Sequence, residues 1–179
     1  MRRAFLSVLL LVSVFLLVPA SPATAAPYCG LVWGSLEKTA PGLSAAPVVN
    51  VRTGRHSCYD RLVIDVAGDV GGYTAGYAAH VIQDGSGAVI PTRGGIALQI
   101  TVNDPAYDVN GNPTYPPANR LELRDVSGYR TFRQVVFAGS FEGYTSLGLG
   151  VRARLPFRVF VLDGPGSGSR VVVDVAHRW

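Results

Sequence analysis

The stretch RVVVDVAH, residues 170–177, closely repeats a stretch that occurs much earlier in the chain, RLVIDVAG, residues 61–68. Both copies are rich in β-branched residues and too short for a stable helix, so both predict strands. Because side chains alternate along a strand, one face of each copy is wholly apolar, whereas the other carries an arginine and, four residues later, an aspartate. The apolar faces, which we expect to point into a core, are Leu62, Ile64 and Val66 in the first copy and Val171, Val173 and Val175 in the second.

The repeat extends to a strand and a turn before each copy, over residues 48–68 and 157–177. Two such hairpins suggest two similar sheets that face each other, although valine-rich strands also resemble one another by chance. Short apolar runs separated by Gly and Pro continue through the rest of the chain, and no segment has a sustained helical period. The sequence therefore predicts an all-β fold, a sandwich or barrel with little or no helix.

The N-terminus has the layout of a secretory signal peptide. Arg2 and Arg3 precede an apolar run over residues 4–18, and small residues lead up to Ala25, after which we predict cleavage. An uncleaved anchor and export by the twin-arginine route are the alternatives. We expect residues 1–25 to be the signal peptide, 26–47 an N-terminal extension and 48–179 a single domain. The protein would then be secreted or associated with the cell envelope, outside the cytoplasmic membrane.

Charge and hydropathy argue against two classes of partner. The formal charge falls from +4 to +2 when Arg2 and Arg3 are removed, and the remaining arginines are scattered, so nothing indicates a nucleic-acid partner. After the signal peptide, no apolar run reaches the roughly 20 residues that a membrane-spanning helix needs. We therefore expect no membrane span once the signal peptide has been cleaved.

The two cysteines, Cys29 and Cys58, predict one disulfide, because an even count in an exported chain usually means pairing. This bond would tie the N-terminal extension to the first hairpin. Lipidation of Cys29 is the alternative, but the residues before it do not resemble a lipobox.

No set of residues predicts catalysis or a cofactor. The three histidines, His56, His80 and His177, lie far apart, and no cysteine or carboxylate cluster gives them metal-ligand spacing. A Gly-x-Ser-x-Gly motif is absent from the sequence, although a Ser-His-Asp triad built from distant residues stays open at this stage. We expect no metal, no cofactor and no enzymatic activity.

A proline-rich segment over residues 103–119 predicts a long surface loop, which is where binding residues often lie. Several of its residues carry side-chain oxygens, which calcium favours as ligands. Gly111 does not stand where an EF-hand loop needs its glycine, so the sequence favours a plain turn, with a calcium site as the alternative. The oxygen-bearing residues are Asp104, Asp108, Asn110 and Asn112.

The polar faces of the two repeated strands supply the candidate ligand-binding residues Arg61, Asp65, Arg170 and Asp174. In one interpretation they form cross-strand ion pairs that keep an outer surface soluble. In the other, the planar guanidinium groups hold carboxylates or sugars of a polymer. Aromatic rings near the proline-rich loop are candidates for stacking on sugars, namely Tyr107, Tyr115 and Tyr129.

The paired hairpins resemble the AMIN domain and, more closely, the AMIN-like exported proteins of actinobacteria. The stretches that carry this resemblance are VR at 51–52, YDRLVID at 59–65, FEG at 141–143, LPFRV at 155–159 and VVVD at 171–174. The sequence departs from the family where residues 164–169 stand in place of a proline just before the arginine. The resemblance implies a sandwich of two similar sheets that binds peptidoglycan or localises a protein without catalysis.

We therefore expect a non-enzymatic envelope module whose partner is a cell-wall glycan or an envelope protein. Two alternatives remain at this stage: a secreted protein-interaction factor that uses the proline-rich loop, and a carrier with an apolar pocket between its sheets.

Overall fold

A computed structural model describes residues 27–179, and the signal peptide predicted for residues 1–25 lies outside them. The described residues form one short 3-10 turn, Tyr28–Gly30, and eleven strands. The strands are β1 (Lys38–Ala40), β2 (Val48–Arg55), β3 (Tyr59–Val66), β4 (Tyr73–Ala78), β5 (Val81–Ile82), β6 (Val89–Ile90), β7 (Ile96–Val102), β8 (Phe132–Phe141), β9 (Tyr144–Val151), β10 (Phe157–Asp163) and β11 (Ser169–Ala176).

The strands form two large antiparallel sheets that pack face to face, so the predicted all-β sandwich is confirmed. One sheet has the order β1-β4-β7-β9-β8 and the other has the order β10-β11-β3-β2. The six aliphatic residues predicted to face a core, in β3 and β11, are all buried between the sheets. Across the interface the Tyr77 and Phe157 rings meet at right angles with centroids 5.4 Å apart. Burial of this apolar surface is the main stabilising contribution.

The repeated hairpins do not form two facing sheets, and this part of the prediction is wrong. Both belong to the four-stranded sheet, in which β3 and β11 are neighbours and run antiparallel. Their register places Arg61 opposite Asp174 and Arg170 opposite Asp65, with Val63 opposite Val172 between them. Antiparallel pairing of two copies of one motif brings opposite charges together, and such cross-strand pairs stabilise a sheet. The five-stranded sheet is built from other strands.

The N-terminal extension is fastened to both sheets. A disulfide joins Cys29 to Cys58, whose Cα atoms are 6.4 Å apart, so the predicted pairing is confirmed. The extension then bonds to β10 through the bridge between Gly34 and Phe157 and adds β1 to the edge of the five-stranded sheet. The N-terminal extension therefore contributes a strand to the five-stranded sheet.

The proline-rich loop closes the side of the sandwich between β2 and β8. Within it, Ala106 and Tyr115 belong to the core, and Thr114 donates a hydrogen bond to the Val48 carbonyl at 2.7 Å. At its tip, Asp108 accepts hydrogen bonds from the backbone amides of Asn110 and Asn112 and from the Asn112 side chain. These bonds lower the pKa of Asp108 and form the turn that the sequence favours.

A third, smaller layer covers the outer face of the five-stranded sheet. It contains the hairpin β5-β6, and Val81 and Ile90 pack there on Val136 and Ala138. In β9 leucines face the core, whereas glycines face this layer. A Cβ atom on Gly150 would overlap the backbone carbonyl of Arg93. The glycines therefore allow the backbone of the outer layer to lie directly on the sheet.

A carboxylate is buried at the start of the proline-rich loop. Asp104 is fully buried, and its two oxygens accept the backbone N–H of Gly71 at 3.0 and 3.2 Å. Burial raises the pKa of Asp104 from 3.8 to about 6, although hydrogen bonds with Gly71 and Ser44 act in the opposite direction. The charged form of this group therefore destabilises the folded protein.

We expect Asp104→Asn to be more stable than the wild type at neutral pH by about 2 kcal/mol, and of similar stability near pH 4. Because the folded pKa of Asp104 is raised, the unfavourable contribution is absent below the unfolded pKa of 3.8, grows as the pH rises, and is complete above about 6. Asparagine keeps an oxygen that accepts the Gly71 N–H. Urea unfolding of both proteins at several pH values measures the difference, and a difference that is independent of pH would contradict the prediction.

Candidate ligand-binding face

The polar faces of β3 and β11 form the centre of the outer surface of the four-stranded sheet. Val63 and Val172 are opposite each other there, with an arginine and an aspartate on either side. Both valines are buried although they lie on the outer face of the sheet. Together with Arg61, Arg170 and other residues, they line a cavity of about 230 Å³. We call this surface the arginine face; it comprises Asn50, Arg52, Arg61, Val63, Asp65, Arg158, Phe160, Arg170, Val172 and Asp174.

Asp174 is the fully buried centre of one ion cluster on the arginine face. Arg61 binds it with two parallel hydrogen bonds, from Nε at 2.6 Å and from Nη2 at 2.9 Å. Arg158 of the neighbouring strand β10 adds two more, at 2.9 and 2.7 Å. The hydrogen bond with Asp174 also raises the pKa of Arg61. Two of the arginines on the face, Arg61 and Arg158, are therefore already bonded to a buried structural carboxylate.

Asp65, the counterpart of Asp174 in the repeat, is bonded by the other neighbouring strand. Arg52 of β2 donates to it from Nε at 2.7 Å and from Nη2 at 2.6 Å, and Asn50 donates at 3.1 Å. The carboxylate of Asp65 is 19% exposed. Arg170 faces Asp65 in the strand register but makes no ion pair with it, and the partners of that carboxylate are Arg52 and Asn50 instead.

Arg170 is therefore the arginine of this face that has no carboxylate partner among the described residues. Its Nη2 donates to the carbonyl of Asp163 at 2.9 Å, and its buried Nε has no hydrogen-bond partner there. A guanidinium carries five N–H donors, so most of its bonding capacity remains unused. The side chain lines both the smaller cavity and a second one of about 700 Å³ beneath the turn at residues 164–169. This arrangement suits a carboxylate or phosphate oxygen.

Aromatic rings surround the arginines at the end of the face nearest the disulfide. The guanidinium of Arg158 lies over the rings of Trp33, Tyr59 and Phe160, with centroid distances of 5.4, 5.5 and 4.8 Å. His56 stacks on Tyr59 at 4.6 Å. Sequence reasoning missed these rings as site residues, although the alternation along β10 places Phe160 on the same face as Arg158. We call the rings of Trp33, Tyr59 and Phe160 the aromatic platform; with the neighbouring arginines it combines cations with apolar surface.

The three tyrosines selected from the sequence lie elsewhere. Tyr129 stacks on Phe132 at 5.6 Å and donates a hydrogen bond to the Thr53 hydroxyl at 2.9 Å, against the core. Tyr107 and Tyr115 lie within the proline-rich loop. The structure thus brings together Arg61, Asp65, Arg170 and Asp174 from the predicted set, and it places the tyrosines apart from them.

Asp60 and His177, which lie outside the arginine face, connect the two sheets. Buried Asp60 accepts the backbone N–H of Thr131 at 2.5 Å and that of Phe132 at 3.2 Å, and it pairs with His177 at 3.1 Å. This cluster ties β3 to the start of β8, which belongs to the opposite sheet. Across residues 27–179, no three His, Cys, Asp or Glu side chains are grouped so that they could hold a metal ion. In the same range, no helix has the length and apolar character needed to cross a bilayer.

A comparison with models of known protein families found one match. A model of the AMIN-like domain family matches residues 46–177, which cover both repeated hairpins and all strands except β1. Searches of curated proteins and of solved structures gave no significant match.

Proposed function

The chain belongs to the AMIN-like domain family, whose members are generally non-catalytic, cell-wall-related binding modules, and we propose that it binds peptidoglycan through the arginine face. Peptidoglycan carries free carboxylates on its peptides, and a guanidinium binds such a group with two parallel hydrogen bonds. Four arginines and two aspartates on this face leave it with an excess of positive charge. The aromatic platform beside them supplies apolar surface for the rest of a wall fragment.

Arg170 is the observation that carries the proposal. The other three arginines of the face neutralise Asp65 and Asp174, whereas Arg170 makes no ion pair with any described residue and lies between two cavities. A guanidinium without a carboxylate can accept an anionic ligand without first breaking an internal ion pair. The Cys29–Cys58 disulfide fits an extracytoplasmic location, where thiols are oxidised and where the wall is found.

We expect Arg170→Gln to weaken binding to insoluble cell wall by about tenfold, since one charge-assisted hydrogen bond is worth about 1.5 kcal/mol or more. The free energy of unfolding should hardly change, because Arg170 has no carboxylate partner in the described structure. Co-sedimentation of the purified protein with wall sacculi measures the affinity.

The matched control is Arg130→Gln, which removes one exposed arginine that is not part of the arginine face. If Arg130→Gln weakens sedimentation as much as Arg170→Gln, binding reflects overall charge and the proposed site is wrong. Unchanged sedimentation of Arg170→Gln would also refute it.

Neither alternative function gains equal support. The space between the sheets holds one contiguous cluster of buried side chains, which disfavours a carrier that encloses an apolar ligand there. A protein-interaction factor would use the proline-rich loop. That loop is partly buried, because its residues Ala106 and Tyr115 belong to the core.

A further inference from the structure

A second concave site lies between the proline-rich loop and the end of β8, away from the arginine face. It is a groove of about 530 Å³, within the roughly 300–1,000 Å³ typical of small-ligand sites. Its walls are mainly rings, supplied by Tyr107, Pro113, Tyr115, Pro117, Phe137 and Phe141. The Phe141 side chain is 50% exposed, so its ring is open to a ligand.

The polar groups of the groove are few and of mixed character. Asp84 contributes a carboxylate, Gln83 an amide and Arg120 a guanidinium that lies over the Phe137 ring at 5.3 Å. One oxygen of Asp84, Oδ2, is buried and has no hydrogen-bond partner among the described residues. Burial also raises the pKa of Asp84, although hydrogen bonds with Ser146 act in the opposite direction. Asp84 also lines the groove, so a ligand hydroxyl there could donate a hydrogen bond to its carboxylate.

The groove is already formed without a ligand. The hydroxyl of Tyr107 accepts the backbone N–H of Gly143 at 2.8 Å, which holds the loop against the β8-β9 turn. The backbone N–H of Asp84 donates to the Ala138 carbonyl at 2.9 Å, which fixes the opposite wall. Because both walls are anchored to the sheet, binding would require little ordering of the protein.

The charged groups and rings of the groove favour one class of ligand over others. One carboxylate faces one guanidinium, so the groove has no excess charge, unlike the arginine face. An aliphatic ligand would make no polar contact with the Asp84 carboxylate or the Arg120 guanidinium, and an anion would meet the carboxylate as well as the guanidinium. A sugar ring combines hydroxyl donors and acceptors with apolar C–H faces, which fits rings next to a mixed polar set.

We propose that this groove binds a pyranose unit of a neutral glycan. The Phe141 ring stacks against the apolar face of the sugar, Asp84 accepts a hydrogen bond from one hydroxyl, and Arg120 donates to another. The assignment extends the proposed function to the sugar part of a wall polymer, but it rests on residues separate from the arginine face.

The test titrates the folded protein with tetra-N-acetylchitotetraose, which mimics a wall glycan strand, and separately with maltotetraose, which represents other neutral polysaccharides. Amide NMR spectra should show shifts at Gly111 and Gly139, both of which line the groove. Phe141→Ala should weaken binding by about tenfold, because it removes the ring that stacks on the sugar. Asp84→Asn should weaken binding by a similar factor, because a hydrogen bond to a charged group is worth about 1.5 kcal/mol or more. A preference for either sugar identifies the source of the glycan.

Two control variants separate this inference from the proposed function. Val109→Ser changes the most exposed apolar side chain of the same loop, outside the groove, and should bind sugar as the wild type does. Arg170→Gln should also retain sugar binding even where it loses wall binding. The inference is overturned if neither sugar shifts the groove amides, if Phe141→Ala and Asp84→Asn bind like the wild type, or if Arg170→Gln abolishes sugar binding.

Discussion

Replacing Asp174 by Asn is expected to lower the free energy of unfolding by about 3 kcal/mol. The carboxylate of Asp174 is fully buried and accepts four hydrogen bonds, two each from Arg61 and Arg158. Asparagine has nearly the same shape but carries no charge, and its amide group would face two guanidinium groups with donors of its own. Both arginines would lose their ionic partner while their side chains remain largely buried.

The repeat supplies a matched control for this prediction. Asp65 occupies the equivalent position in β3, but its partner Arg52 has a side chain that is 49% exposed. Water can replace the lost bonds there, so Asp65→Asn should cost less than about 1 kcal/mol. Guanidinium chloride unfolding of the wild type and both variants measures the difference. Equal losses in the two variants would show that the burial of Asp174 does not set its contribution.

Gly150→Ala is expected to destabilise the protein by at least about 3 kcal/mol. The added methyl group would point from β9 into the outer layer and overlap the backbone carbonyl of Arg93. That segment cannot easily move away, because the backbone N–H of Arg93 donates to the Gln134 side chain at 2.6 Å and Arg93 also pairs with Glu122. The outer layer would have to lift from the sheet, or β9 would have to shift.

Gly54→Ala is the control for Gly150→Ala. Gly54 also lies within a strand, β2, but a Cβ atom there would meet only the His56 side chain, at 3.6 Å. Its stability should be unchanged or slightly increased, because alanine restricts the unfolded chain. Thermal unfolding followed by circular dichroism compares the two variants. A Gly150→Ala protein as stable as the wild type would mean that the outer layer can separate from β9 at little cost.

Much of the arginine face is accessible to sequence reasoning because it lies on regular strands. Alternation within residues 61–68 and 170–177 separates buried from outward side chains, so the four charged candidates follow from the order of residues alone. Partner choice cannot be predicted in this way. Which arginine neutralises which aspartate depends on Arg52 in β2 and Arg158 in β10, and the position of those strands in the sheet is a long-range property.

The positions of the three candidate tyrosines, in contrast, could not be predicted from the sequence. Tyr107, Tyr115 and Tyr129 lie in or near one loop in the sequence, yet Tyr129 packs toward the core whereas Tyr107 lines the groove. A loop has no fixed period, so the sequence contains no rule for the direction of its side chains. The position of Trp33 could not be predicted for a related reason. Trp33 reaches the arginine face because the disulfide and the Gly34–Phe157 bridge hold the N-terminal extension against the domain.

The amino-acid sequence by itself determined the all-β class, the buried faces of β3 and β11 and the pairing of its two cysteines, because each follows from local alternation or from a simple count. Tertiary structure alone decided that the two repeats share a sheet, that Arg170 has no carboxylate partner within residues 27–179 and that a groove opens beside the proline-rich loop. These features depend on contacts between segments that are distant in the chain. Such contacts are established only when the strands pair and the sheets pack.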